Sequence, residues 1–197
     1  QARFPVQSVI RPKTEEYHDF RGYAGKIYGG NFEVGDKIRV LPSQTTSTIK
    51  SIHFFNETYV EAKRGSAVTM TLADNVNVSR GDMLVKVNEE PTITKQLDAT
   101  ICWMDSAPLE VSQKYYIKHG VNDAQAKITQ LSSIIKTDFS GKINNPSKLE
   151  LNQIGDIQLK LSKPLLVDSF DQNKSNGAFI LINPKTNNTV GVGFIRQ

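Results

Sequence analysis

Residues that could supply a nucleophile, a base or a metal set stand apart in this chain. His18, His53 and His119 share no two-histidine spacing and have no carboxylate beside them in a metal-type arrangement. Cys102, the single cysteine, sits next to Trp103 on a strand-like run, where a packed, unreactive thiol is expected. One cysteine also excludes a disulfide or a multi-cysteine metal site within these residues. No serine lies in a Gly-x-Ser-x-Gly elbow. No Gly-x-x-x-x-Gly-Lys-Ser/Thr run offers its backbone amides to nucleotide phosphates. Asn173-Lys174-Ser175-Asn176 has the outline of a guanine-reading loop, but it ends in an amide where a carboxylate must accept two guanine N–H groups. It reads as a polar turn before Gly177. No catalytic, cofactor-binding or metal-binding residue is therefore expected. What remains is recognition by contact: Phe20, Arg21 and Tyr23 at one corner, and Trp103 on a strand, are residue types that anchor interfaces. Barrel packing is the competing reading for each of them, and the commoner one for a tryptophan on an alternating strand.

The elements that must position these residues read as strands. In Ala67–Leu72, Val68, Met70 and Leu72 point one way and the threonines the other; Ile38 and Val40 flank Arg39 in the same fashion. Leu97, Ala99, Ile101 and Trp103 share a face, as do Ile157, Leu159 and Leu161. Gly29-Gly30, Gly35-Asp36 and Gly81-Asp82 supply turns. Asn145 and Pro146 suggest one helical turn running to Leu151. Val87-Asn88-Glu89-Glu90-Pro91 interrupts the pattern, because proline removes a ladder donor and restricts the residue before it. The boundary between two domains, 1–90 and 91–197, is placed there. Short strands with glycine turns in each half suggest two consecutive closed barrels, with a sandwich as the alternative on pattern alone.

Composition fits a folded chain: 38% hydrophobic and 22% charged residues, with no apolar run near the roughly 18 residues a membrane helix needs. The net charge of +4 is spread thinly. Residues 1–90 carry 12 basic and 11 acidic side chains and residues 91–197 carry 12 and 9, so a nucleic-acid backbone is not the expected partner. Three Arg-Gly pairs, at Arg21, Arg64 and Arg80, open strand patterns and form no low-complexity repeat. With no leader or membrane span, a cytoplasmic location is expected. Beginning at Gln1 rather than Met, the chain is expected to be part of a longer polypeptide.

Several motifs in order carry a family resemblance. Arg3-Phe4-Pro5-Val6-Gln7, Phe20-Arg21-Gly22-Tyr23-Ala24-Gly25, Leu41-Pro42-Ser43, Ser79-Arg80-Gly81-Asp82-Met83-Leu84, and the tail from Leu151 through Gly177–Ile182 to Thr189–Ile195 together resemble the GTPase subunit of ATP sulfurylase (sulfate adenylyltransferase). That subunit belongs to the elongation-factor-Tu-like GTPases. The resemblance implies an all-β chain of two barrels like domains II and III of elongation factor Tu, with a GTPase domain upstream that holds GTP and Mg²⁺. It also implies a small catalytic subunit that joins ATP and sulfate into adenosine 5′-phosphosulfate while GTP hydrolysis drives the reaction. On that reading the complete polypeptide is an enzyme subunit and these 197 residues alone are inactive, binding no cofactor. The partners are then the chain's own GTPase domain and the small subunit, with no membrane and no nucleic acid. Two features depart from the family pattern: the longer segment Lys13–His18, and Gln44 where a glycine often follows Leu-Pro-Ser. A tRNA-binding barrel pair of a translation factor and a free-standing interaction module stay open as alternatives.

Overall fold

Period-two alternation becomes a chain whose regular elements, among the described residues, are all strands. The structure is a computed structural model that describes residues 1–11, 20–55, 57–138 and 140–196. His18, Asp19 and the Lys13–His18 segment lie outside the described residues. The chain divides into two compact units, Gln1–Glu90 and Pro91–Gln197.

The first unit holds β1 (Ala2–Ile10), β2 (Gly22–Lys26), β3 (Tyr28–Gly29), β4 (Phe32–Glu33), β5 (Lys37–Leu41), β6 (Thr45–Phe54), β7 (Glu57–Tyr59), β8 (Glu61–Ala62), β9 (Ala67–Leu72) and β10 (Met83–Lys86). The antiparallel ring β1-β10-β5-β6-β9-β2 closes back on β1, which pairs with β10 at one end and with β2 further along. Closure removes the free edges that an open sheet would expose. Phe4, Val6, Tyr23, Ile38, Val40, Ile49, Ile52 and Met70 fill the interior. Gly25 is obligatory at the β1–β2 crossing, because a Cβ there would lie 2.5 Å from the Pro5 carbonyl oxygen. Arg3 is fully buried in β1, and its guanidinium donates to the carbonyls of Ala2 (3.0 Å) and Glu89 (2.5 Å) and to the Gln1 side chain (2.8 Å). Those bonds fasten the first strand to the last residues of its own unit.

The second unit holds β11 (Thr92–Trp103), β12 (Leu109–Glu110), β13 (Lys114–His119), β14 (Asn122–Ile135), β15 (Lys142–Asn144), β16 (Lys148–Leu149), β17 (Ile154–Val167), β18 (Ala178–Ile182) and β19 (Thr189–Ile195). Here β11-β17-β14-β13-β18-β19 forms the ring and β19 returns to β11. The expected inward faces are the observed ones: Leu97, Ala99, Ile101, Trp103, Ile157, Leu159 and Leu161 are all buried. The helical turn expected from Asn145 to Leu151 is not formed. Asn145 takes φ +47° instead of a capping conformation, and Lys148–Leu149 pairs with Leu109–Glu110. Leu149 is fully buried, so tertiary packing of one leucine overrides the local Asn-Pro signal.

At the end of β13, His119 is buried, and its Nε2 lies 2.8 Å from the Asn176 carbonyl oxygen. A carbonyl can only accept, so Nε2 carries the proton of the neutral ring. The Asn176 side-chain amide donates to Leu166 O (3.2 Å) and to Asp168 Oδ2 (2.8 Å), closing a buried polar network. Burial pushes the His119 pKa down, against the opposing pull of the Asn176 carbonyl and Asp168. A depressed folded value means that the unfolded chain binds the proton first. The second unit should therefore keep its full stability above the ordinary histidine value of 6.5 and lose it as pH falls toward the lower folded value. Urea midpoints followed between neutral and mildly acidic pH should show this slope, and His119→Gln should flatten it.

Candidate functional site

The first unit carries a cleft of about 710 Å³ that brings together Arg11, the corner residues Phe20 and Arg21, Tyr23, Lys50 and His53, with Asp74 and Asn75 on its wall. Its parts come from distant points of the chain: the end of β1, the start of β2, the outer row of β6 and the segment after β9. Gly22 allows the corner to form, since a Cβ there would lie 2.6 Å from the Thr69 methyl and 2.8 Å from the Phe20 ring. On the floor, Ser51 Oγ lies 2.7 Å from His53 Nε2 and 2.5 Å from Thr71 Oγ1. The Phe20 ring meets the His53 ring edge-on at 5.8 Å.

Arg21 is held in place by its neighbours. Its Nη1 donates to Asn75 Oδ1 at 3.0 Å, and its guanidinium carbon sits 5.9 Å from the centre of the Tyr23 ring. Tyr23 is 1% exposed and donates its hydroxyl to the Val76 carbonyl. Burial raises the Tyr23 pKa, although Arg21 and Arg11 pull the other way. The corner thus presents Arg21 and part of Phe20 outward, with Tyr23 as the internal support. Trp103 is elsewhere, 1% exposed in the second unit's core. Its indole N–H donates to the Ala107 carbonyl at 2.8 Å, and its ring meets Tyr115 edge-on at 5.6 Å. Tyr115 in turn is pushed up to about 12 by burial, with Asp105 and Glu110 adding to it. The structure brings Phe20, Arg21 and Tyr23 together and places Trp103 as a core residue.

Lys50, Asn75 and Arg11 carry no motif in the sequence, and only the folded ring brings them to Arg21. Asp156 on β17 is likewise silent in the sequence. Its carboxylate accepts from Thr100 Oγ1 (2.9 Å), Ser133 Oγ (2.8 Å), Lys142 Nζ (2.6 Å) and Arg196 Nη1 (2.9 Å). Burial alone would raise its pKa, but the bonds from Lys142, Ser133 and Thr100 and the charge of Arg196 hold it below the usual carboxylate range. This hub ties β11, β14, β15 and the segment after β19 to β17. Among the described residues no group of three or more His, Cys, Asp or Glu side chains could hold a metal ion. Among the described residues no helix is long and apolar enough to cross a membrane.

Two closed six-stranded rings in succession define an all-β barrel pair of the elongation-factor type. The structure of sup35 complexed with GDP covers all of this chain and 47% of its own at a TM-score of 0.84 and 16% identity. Translation elongation factor SelB from Methanococcus maripaludis covers all of the chain and 42% of its own at a TM-score of 0.77 and 20% identity. At these identities the likeness is one of fold. The family model described as GTP-eEF1A C-terminal domain-like matches residues 96–196, and the chain belongs to that family. Among curated proteins, the bifunctional enzyme CysN/CysC of Mycobacterium tuberculosis is 41% identical over 194 residues, covering 98% of this chain and 32% of the relative. Sulfate adenylyltransferase subunit 1 of Francisella tularensis is 40% identical over 198 residues, covering 98% of this chain and 40% of the relative. That of Bacteroides fragilis is 38% identical over 193 residues, again 98% of this chain and 40% of the relative. The resemblance read from the sequence therefore extends through both barrels, while the chain spans only about a third to two fifths of these relatives' length.

Proposed function

We propose that the chain is the non-catalytic barrel pair of the GTPase subunit of sulfate adenylyltransferase, the docking and transmitting part of a polypeptide whose nucleotide switch lies outside these residues. The observation that carries this reading is the continuous identity of about 40% to sulfate adenylyltransferase subunit 1 across both barrels, beside 16–20% to the translation factors that share the fold. That contrast favours sulfate activation over tRNA delivery. Within the complete polypeptide, GTP and Mg²⁺ sit on the GTPase domain, and the small subunit joins ATP and sulfate into adenosine 5′-phosphosulfate and pyrophosphate. Sulfate is a poor nucleophile and the product anhydride is high in free energy, so the step runs uphill unless it is coupled to another reaction. Coupling needs two ligands that each favour one arrangement of the same assembly, and rigid barrels beside a GTPase domain are suited to carry the difference. The assembly works in the cytoplasm.

Copurification tests the partnership. The full-length polypeptide containing this chain should retain the small catalytic subunit on an affinity column, and a translation-factor role would instead give salt-sensitive retention of tRNA. Retention of tRNA without the small subunit would contradict the proposal.

A further inference from the structure

We infer that the outer face of the second barrel docks an acidic polypeptide segment, with the lysine row Lys114, Lys127 and Lys160 attracting its carboxylates and the Tyr116 cleft beside the row taking an apolar side chain. This rests on the reading of the chain as a docking module and names the chemistry of its partner. The register fixes the row: Lys114 on β13 stands directly opposite Lys127 on β14, and Lys127 directly opposite Lys160 on β17. Neighbouring strands lie about 5 Å apart, so three like charges are held side by side across the sheet. All three are exposed, alternating with buried positions on their strands. None has a hydrogen bond or an ion pair among the described residues. Phe139 and Gln197, the residues of this unit outside the described set, bring no acidic side chain. Like charges directly opposite one another disfavour the pairing of their strands. The row thus opposes the fold slightly and leaves three free ammonium groups for an anion from elsewhere.

Two more exposed lysines continue the face. Lys118 lies on the same side of β13 as Lys114, and Lys163 follows Lys160 along β17. Asp123 stands opposite Lys118 and approaches Lys163 at 3.7 Å, so this one carboxylate is shared between two cations. Tyr116, between Lys114 and Lys118 on β13, is 42% exposed and lines a cleft of about 570 Å³ with Gln125, Ser162, Lys163 and Ile182. The Gln125 N–H donates to Ser162 Oγ at 3.0 Å, which ties the floor of that cleft across β14 and β17. An aromatic wall bordered by cations suits a segment that buries one apolar side chain and keeps its carboxylates at the rim. Lysine is a point charge without the planar fork of arginine, so the row acts mainly on encounter rate and salt dependence. A protein partner fits this face better than nucleic acid, because the identity of about 40% is to a subunit of an enzyme assembly and only 16–20% is to the translation factors.

The test uses the full-length polypeptide and two probes, the separately purified small catalytic subunit and a synthetic glutamate-rich peptide carrying one leucine. Binding of the peptide should weaken with salt. The triple variant Lys114→Gln, Lys127→Gln, Lys160→Gln should weaken both the peptide and the small subunit by roughly tenfold at low salt. It should fold as the wild type does, since it removes opposed like charges from an exposed face. The matching triple change to arginine keeps the charge and should retain binding. Tyr116→Ser should weaken the leucine-bearing peptide by roughly threefold to tenfold and spare one in which glycine replaces the leucine. Peptide binding that depends on the lysine row without any binding of the small subunit would leave this inference standing and remove the proposed function. Subunit binding that ignores the row, with a peptide that neither binds nor competes, would overturn the inference alone. Displacement of the peptide by a short single-stranded RNA, with RNA binding that depends on the row, would overturn it in favour of nucleic acid.

Discussion

Replacing Asp156 with alanine should cost the second unit about 3 kcal/mol, because one partly buried carboxylate loses several charge-assisted hydrogen bonds together. Thr100 and Ser133 are left without their acceptor, and Lys142 and Arg196 without their counter-charge. For a unit of this size such a loss lowers the melting temperature by roughly 15 °C. The single tryptophan, Trp103, lies in the core of the same unit, so its fluorescence reports the transition selectively. Asp156→Asn keeps the shape and one acceptor and should fall between the two. The pH dependence has a definite sign. The folded pKa lies below the ordinary 3.8, so the contribution is present above the unfolded value and disappears as pH falls through the folded one. The difference between wild type and Asp156→Ala should be flat around neutrality and should close in acid. A difference that persisted unchanged in acid would mean that the carboxylate charge is not what holds the hub.

Gly177→Ala should be nearly as damaging, at about 2–4 kcal/mol, for a steric reason. A Cβ on Gly177 would lie 2.4 Å from Phe170 Cα and 2.5 Å from Phe170 N, and backbone atoms cannot swing aside. The neighbourhood is also tightly bonded. Phe170 N–H donates to Ile195 O and Ile195 N–H donates to Gly177 O, each at 2.8 Å. The adjacent Asn176 carbonyl accepts from His119, so moving this loop also disturbs the buried histidine. Gly35→Ala is a useful contrast, because nothing lies within 4 Å of its added methyl. Gly35 has φ +93°, so that substitution carries only the local cost of a strained backbone, roughly 1–2 kcal/mol. Tryptophan fluorescence should follow the loss for Gly177→Ala and barely register Gly35→Ala, whose site is in the other unit.

The all-β class was legible because strand faces repeat every two residues, and the buried sets on β9, β11 and β17 follow that period. Ring closure was only inferred, since the pairing of β1 with β10 and of β13 with β18 joins positions that carry no local mark. The corner was partly legible. Arg21 and Phe20 could be read as outward-facing by type, and both are half-exposed at the cleft, whereas the interior place of Tyr23 follows from the β1–β2 crossing, where glycines blur the alternation. Asn75 stands 54 residues from Arg21, and no pattern in the chain couples them. Asp156 was silent because its four partners come from separate segments. The turn at Pro146 misled because local capping chemistry cannot anticipate that Leu149 will be drawn into the core. Gln44 is a case where the departure from the family pattern has a physical reading: it adopts φ +66°, the left-handed region that glycine occupies most easily, so the turn is kept at some local strain.

The most direct test of the central claim compares sulfate adenylyltransferase assemblies made with the complete GTPase subunit and with a form lacking these 197 residues. Formation of adenosine 5′-phosphosulfate would be followed with and without GTP. Removing the barrels should abolish both retention of the small subunit and the acceleration by GTP, while slow GTP hydrolysis by the remaining domain persists. An assembly that still held the small subunit and still responded fully to GTP without the barrels would contradict it.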